Sequence, residues 1–407
     1  MRTVALLLAV TVPASAQERK KPGPAHPKVN QARVDRAIEN GLKYLMGQVK
    51  SLPSDLPKGL TVNELVLWTF VKGGLPRSDP AFRGLLDDML KRPLALTYCV
   101  ALQAMVLEEL DRVKYHDRIA QCAQALVDGQ CQNGQWSYWA VPDNVDSISK
   151  PALERDVATT DKGKQVPVLR MKTRVTKKHP GPATGDNSNT QYAALGLRAC
   201  HDAGVALPAE VVDRAIAWWR EAQEAPEEAG KGAPNVATGG GAWLPPAGWG
   251  YQKGEAGCGS MTAGAVGGLA IYLYIKDGDG GRKASWKRDK DVVEGLSWMA
   301  KNFSVTVNPG VYHDGSVNTR TALYCYLYAL ERAGMLFGTE WFGTHEWYPE
   351  AANLLLNEQR PDGSWDSSVV DYGSIDPIVD TCFAILILRR GTRPLQDVAS
   401  VDRFVPK

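Results

Sequence analysis

The run Asp186-Asn187-Ser188-Asn189-Thr190-Gln191-Tyr192 packs a carboxylate, amides and hydroxyls into one short stretch. A helix start needs only one such group as its cap. The remainder must bond each other, water or a ligand, because unpaired buried amides are costly. Mutual satisfaction and a polar binding site both fit. A second carboxylate pair, Asp376 and Asp380, stands one helical turn apart. Asp376 also suits a cap, since Pro377 follows at the first helical position. Asn318 and Arg320 are expected to begin another buried helix at the equivalent point, and Trp249 and Tyr251 add aromatic faces. The candidate ligand-binding rim is therefore Asp186, Asn189, Gln191, Trp249, Tyr251, Asn318, Arg320, Asp376 and Asp380. No catalytic residue is assigned.

Other chemistries find weaker support. Glycan cleavage uses two carboxylates, and Asp186, Asp314, Asp362 and Asp376 lie in turns or before buried helices. No spacing separates an acid from a base among them, although Trp243, Trp249 and Tyr251 offer faces for sugars. Asp277-Gly278-Asp279-Gly280-Gly281 lacks the downstream acid of a calcium loop. The seven cysteines show no CxxC or zinc-finger spacing and read as buried small hydrophobes. No metal or cofactor is expected. Lys and Arg total 47 against 45 Asp and Glu, which gives no global pull on nucleic acid. The basic run Arg170, Lys172, Arg174, Lys177, Lys178 reads as solvated charge.

Helical periodicity dominates the elements that must position these residues. Amphipathic helices are expected at 31–48, 80–91, 115–130, 208–223, 289–302 and 346–359. Helices apolar nearly all round alternate with them at 62–73, 94–110, 187–203, 260–275, 319–334 and 376–390. Gly73-Gly74, Gly204 and Gly334 read as C-terminal stops of buried members. Each hairpin leaves an apolar face that the next must cover. Six hairpins suit a closed ring, with an open solenoid as the alternative. Two stretches break the rhythm. Residues 140–185 include an alternating segment that suggests a hairpin or extended arm, and residues 224–247 form a Gly/Pro/Ala-rich insertion. Such segments are either functional lids or disordered loops.

The turn Gln130-Cys131-Gln132-Asn133-Gly134-Gln135-Trp136 recurs as Gln359-Arg360-Pro361-Asp362-Gly363-Ser364-Trp365. With Asp380 to Leu388, Asp186 to Leu197 and Gly259 to Gly264, these turns resemble the repeat of the prenyltransferase and squalene-cyclase superfamily. The resemblance spans most of 31–391 and implies an all-α (α/α)6 toroid. In that repeat Gln130, Trp136, Gln359 and Trp365 have a structural part: the amide links helix ends and the indole fills the gap between outer helices. The family's catalytic sets are incomplete. There is no Asp-x-Asp-Asp to protonate an alkene. Asp380-Thr381-Cys382 matches half of a prenyltransferase zinc set, but no His follows it. Gly257-Cys258-Gly259-Ser260-Met261 has Met261 where a thioester needs Gln.

Val4 to Val12 is apolar and Ala14-Ser15-Ala16 is small, the pattern of a secretory signal peptide cut after Ala16. Residues 17–30 read as a disordered leader, 31–391 as the toroid and 392–407 as a tail. No second run suits a transmembrane anchor. These features lead us to expect an exported, periplasmic or secreted, ligand-binding or scaffolding module of the cell envelope, with an unidentified ligand or envelope protein as partner. The alternative is an enzyme on isoprenoid or glycan substrates.

Overall fold

Apolar residues at three- and four-residue spacing need a second helix to cover them, and twelve helices among the described residues pack in pairs to do so. In the computed structural model the outer helices are α1 (Gln31–Gln48), α3 (Pro80–Lys91), α5 (His116–Gly129), α7 (Ala209–Ala222), α9 (Lys290–Lys301) and α11 (Trp347–Glu358). The inner helices are α2 (Asn63–Gly73), α4 (Thr97–Asp111), α6 (Asn187–Asp202), α8 (Gly259–Asp277), α10 (Leu323–Phe337) and α12 (Asp376–Arg389). The structure describes residues 26–52, 62–141, 143–148, 152–159, 165–226, 244–278, 280–367 and 376–395. The signal-peptide segment, most of the 224–247 insertion and the end of the tail lie outside them.

Each inner helix packs on the next in the order α2, α4, α6, α8, α10, α12, and α12 packs on α2. The ring is thus closed, and the fold is an all-α (α/α)6 toroid. Local chemistry sets the helix ends. Asp79, Asp186 and Asp289 cap α3, α6 and α9 by accepting backbone N–H groups. Gly74 at φ 86° and Gly338 at φ 80° end α2 and α10 in the left-handed region.

Two expectations about α10 need correction. Gly334 does not stop it, and the helix runs on to Phe337. A Cβ on Gly334 would sit 2.6 Å from Trp347 Nε1, so this glycine serves close packing. The helix also begins later than expected. Asn318 and Ala322 hold positive φ, and residues before Leu323 form a small hairpin of β4 (Asn308–Val311) and β5 (Val317–Thr319).

The repeat turns show the expected bonding. Gln130 Nε2 donates to Gly134 O at 3.4 Å and to Val211 O on α7 at 2.8 Å. Gln359 Nε2 donates to Gly363 O at 3.0 Å and to Ala37 O on α1 at 2.8 Å. Trp136 and Trp365 donate their indole N–H to Leu126 O and Leu355 O, at 2.7 and 2.8 Å. Each turn therefore ties an outer helix to the next one, and the Gln359 bond joins the last outer helix to the first.

The arm at 140–185 carries an antiparallel pair, β1 (Ala152–Thr159) with β2 (Gln165–Arg174), and β2 ends beside β3 (Val205–Ala206). Residues 392–395, expected in a separate tail, pack under the ring. Arg198 donates to the carbonyls of Arg393 and Pro394, and Arg393 pairs with Glu108 and Asp202.

Candidate active site

Side chains that meet across the ring, between helices that are not neighbours, must point to its axis. Trp68 of α2 donates its indole N–H to the Tyr328 hydroxyl of α10 at 3.2 Å, past α12. Arg332 of α10 donates to Gln191 Oε1 of α6 at 2.6 Å, past α8. The Arg332 guanidinium lies 4.3 Å from the Tyr328 ring centre and 5.3 Å from that of Tyr192. Tyr328 stacks on Phe383 of α12 at 5.4 Å, and Tyr192 meets Tyr98 of α4 at 4.5 Å. Aromatic rings thus converge on the axis of the ring, with the buried Arg332 guanidinium among them. Below it lies a cavity of about 50 Å³ beside Trp68, Lys72, Met105, Arg198 and Thr392.

Above Arg332, the inner-helix N-termini form a mouth rich in phenols. Tyr98 and Ser188 share a hydrogen bond at 2.5 Å, and the Tyr138 and Tyr251 hydroxyls lie 3.4 Å apart. Tyr251 also packs on His313, with ring centres 4.8 Å apart. Burial, then the negative charge of Asp186, pushes the Tyr251 phenol above its usual range. Tyr251 is therefore a neutral O–H donor at physiological pH. Asp186 is buried at the start of α6, where one oxygen accepts the Asn189 N–H at 2.7 Å and the other accepts Asn189 Nδ2 at 2.9 Å.

The structure gathers some of the sequence-derived rim and disperses the rest. Asp186, Asn189 and Tyr251 meet at the mouth, and Gln191 reaches the axis one turn deeper. Asn189 Oδ1, Gln191 Nε2 and Arg332 Nη1 are buried without a hydrogen-bond partner. Mutual satisfaction of the Asp186–Tyr192 stretch is thus incomplete. Asp380 accepts the Ser367 N–H at 2.7 Å on α12. Asp376 opens α12, and its side chain lies outside the described residues.

Trp249 is corrected from ligand contact to a wedge. It is fully buried, donates to Trp219 O at 2.7 Å, and its N–H reaches Thr262 Oγ1. Trp136 and Trp365 use Thr190 and Thr381 in the same way. Trp249 is therefore a third copy of the repeat, whose partner Gln223 sits before the insertion and donates to Ala247 O and Asp291 O. Asn318 and Arg320 are likewise corrected, since neither begins an inner helix. Asn318 accepts the Gly310 N–H on the β4–β5 hairpin, and Arg320 pairs with Glu358.

The thiols divide between wall and core. Burial pushes the Cys122 and Cys382 thiols up to about 12 and raises Cys258, so no thiolate is poised at the start of α8. Ser260 exchanges hydrogen bonds with Asn308 of β4.

The sequence reading missed Trp68, Tyr98, Tyr138, Tyr192, Tyr328 and Arg332. The available signal was the charged pair Glu331-Arg332 inside an otherwise apolar inner helix.

No protein-family profile and no curated protein matches the chain. Among solved structures it is similar to the type II terpene cyclase MstE from Scytonema in its apo form, at 12% identity and a TM-score of 0.44, covering 88% of this chain and 98% of that one. It is also similar to an arginine variant of MstE with its substrate geranylgeranyl dihydroxybenzoate, at 12% identity and 0.46, covering 90% and 99%. An aspartate variant holding the product merosterolic acid A matches at 11% and 0.44, covering 89% and 98%. The expectation of a binding or scaffolding module is set aside for its alternative, an enzyme on an isoprenoid substrate, argued below from the ring's interior.

Proposed function

We propose that the chain is an enzyme acting on an isoprenoid substrate held in the ring. The observation that carries this reading is the aromatic interior, where Trp68, Tyr98, Tyr192, Tyr328 and Phe383 converge from five inner helices. Ring faces suit a flexible unsaturated hydrocarbon. A glycan would call for a row of hydrogen-bonding groups at the same depth. At the mouth, a neutral phenol and a carboxyl group stand together. The Asp186 carboxyl can give a proton to one carbon of the substrate and take one back from a neighbouring carbon, with the Tyr251 hydroxyl stabilising the carboxylate formed in between, which shifts a double bond. The N-terminal pattern Met1–Ala16 adds export to the proposal.

The test is incubation of the purified chain with farnesol, geranylgeraniol and the corresponding acids, with products read by mass spectrometry. An isomer should form with the wild type and should form about 10²-fold more slowly with Tyr251→Phe. Recovery of every substrate unchanged, or equal rates in the two proteins, would overturn the proposal.

A further inference from the structure

Several cations beside the lower part of the ring are matched to acids. Lys72 pairs with Glu109, Arg198 with Asp202, and Arg393 with Glu108 and Asp202. Arg332 is not among them. It is buried to 2% exposure and forms no ion pair among the described residues. Its neighbour Glu331 faces the other way, with its two oxygens accepting from Thr392 N at 2.9 Å and Thr392 Oγ1 at 2.6 Å. A buried guanidinium without a counter-ion is strongly disfavoured. The Tyr192 and Tyr328 rings offset part of that cost but supply no negative charge.

The surroundings of Arg332 are built to present donors. Gln191 turns its carbonyl oxygen to Arg332 Nη2, which leaves its Nε2 without a partner, and Arg332 Nη1 is also free. The hydrogen bond between them ties the two groups that carry the spare donors to each other. Gly264 on α8 makes this possible, since a Cβ there would lie 2.4 Å from Gln191 Oε1.

We infer that Arg332 and Gln191 form a buried carboxylate-binding site, so that the substrate is an isoprenoid acid whose carboxylate lies at the bottom of the chamber. This rests on the reading of the interior as the substrate chamber. One positive charge and two spare donors match one planar carboxylate. A diphosphate would bring more charge than one guanidinium balances. The acid anchored at the ring centre points its hydrocarbon chain up through the aromatic rings to Tyr251 and Asp186.

The test is binding of farnesoic acid, its methyl ester and farnesol to the full chain, followed by tryptophan fluorescence, with benzoate as a small-anion arm followed by thermal shift. The wild type should bind the acid about ten-fold more tightly than the ester. Arg332→Met should lose that preference and keep its affinity for farnesol within about two-fold. Gln191→Glu should lose it too, because the new carboxylate pairs with Arg332, and this variant should melt at a higher temperature than the wild type. Retention of the preference in either variant would overturn the site, as would equal binding of acid and ester by the wild type. Stabilisation by benzoate that Arg332→Met abolishes, with no isoprenoid bound, would leave the anion site standing and sink the isoprenoid reading. No response to any of the four compounds would overturn both.

Discussion

At the residue scale, the aromatic and polar side chains separate into wedge and chamber. Trp136, Trp249 and Trp365 share one set of bonds: the indole N–H to a carbonyl of the preceding outer helix, the backbone N–H to a threonine hydroxyl on the following inner helix. Trp249→Ala should therefore cost about 3–5 kcal/mol in denaturant unfolding, as expected for a buried tryptophan. Tyr251→Phe removes one hydroxyl at a half-buried mouth and should leave the unfolding midpoint nearly unchanged while slowing turnover. The polar residues of the mouth were legible because Asp186 to Tyr192 holds more polar groups than a cap can use. Trp249 was not, because the insertion at 224–247 separates it from Gln223, which stands six residues from its Trp in the other copies. Arg332 belongs to a helix whose other residues spoke only of burial.

At the element scale, the C-terminal segment closes the floor of the ring. Thr392 hangs on Glu331, and burial raises the Glu331 carboxyl from 4.5 to about 7, against the hydrogen bonds from Thr392 that favour its charge. A carboxyl with a raised folded-state pKa contributes its full stability below the unfolded value and loses it as pH rises through the folded one. Stability should therefore fall between about pH 4.5 and pH 7. In Glu331→Gln this fall should be absent from melting curves taken across that range. A second element, the turn at Gln359, joins α11 to α1. Gln359→Ala leaves the carbonyls of Ala37 and Gly363 short of a donor and should cost about 1–3 kcal/mol. Hydrogen exchange should speed up first in α1 and α11. The helices themselves were readable from periodicity. The start of α10 was not, because the residues that delay it act through left-handed backbone at Asn318 and Ala322, and neither is a glycine.

At the scale of the whole molecule, closure follows from how each hairpin hides its apolar face. The hairpin count suggested a ring, and contact between α12 and α2 establishes it. The interior could not be foreseen from one helix at a time. Trp68 and Tyr328 are 260 residues apart, and Arg332 and Gln191 are 141 apart. Only closure brings them together. The account predicts an exported enzyme whose ring holds an isoprenoid acid by its carboxylate and transfers protons at the opposite, tyrosine-rich mouth. Export is checked by N-terminal sequencing of the protein from the producing cell's envelope or medium, which should begin at Gln17. The central claim is met most directly by incubating farnesoic acid with the purified chain in heavy water and reading the product by mass spectrometry and NMR. The account predicts an isomer carrying one carbon-bound deuterium, formed by the wild type and barely by Tyr251→Phe. Farnesoic acid recovered without carbon-bound deuterium, from a protein shown to bind it, would contradict it.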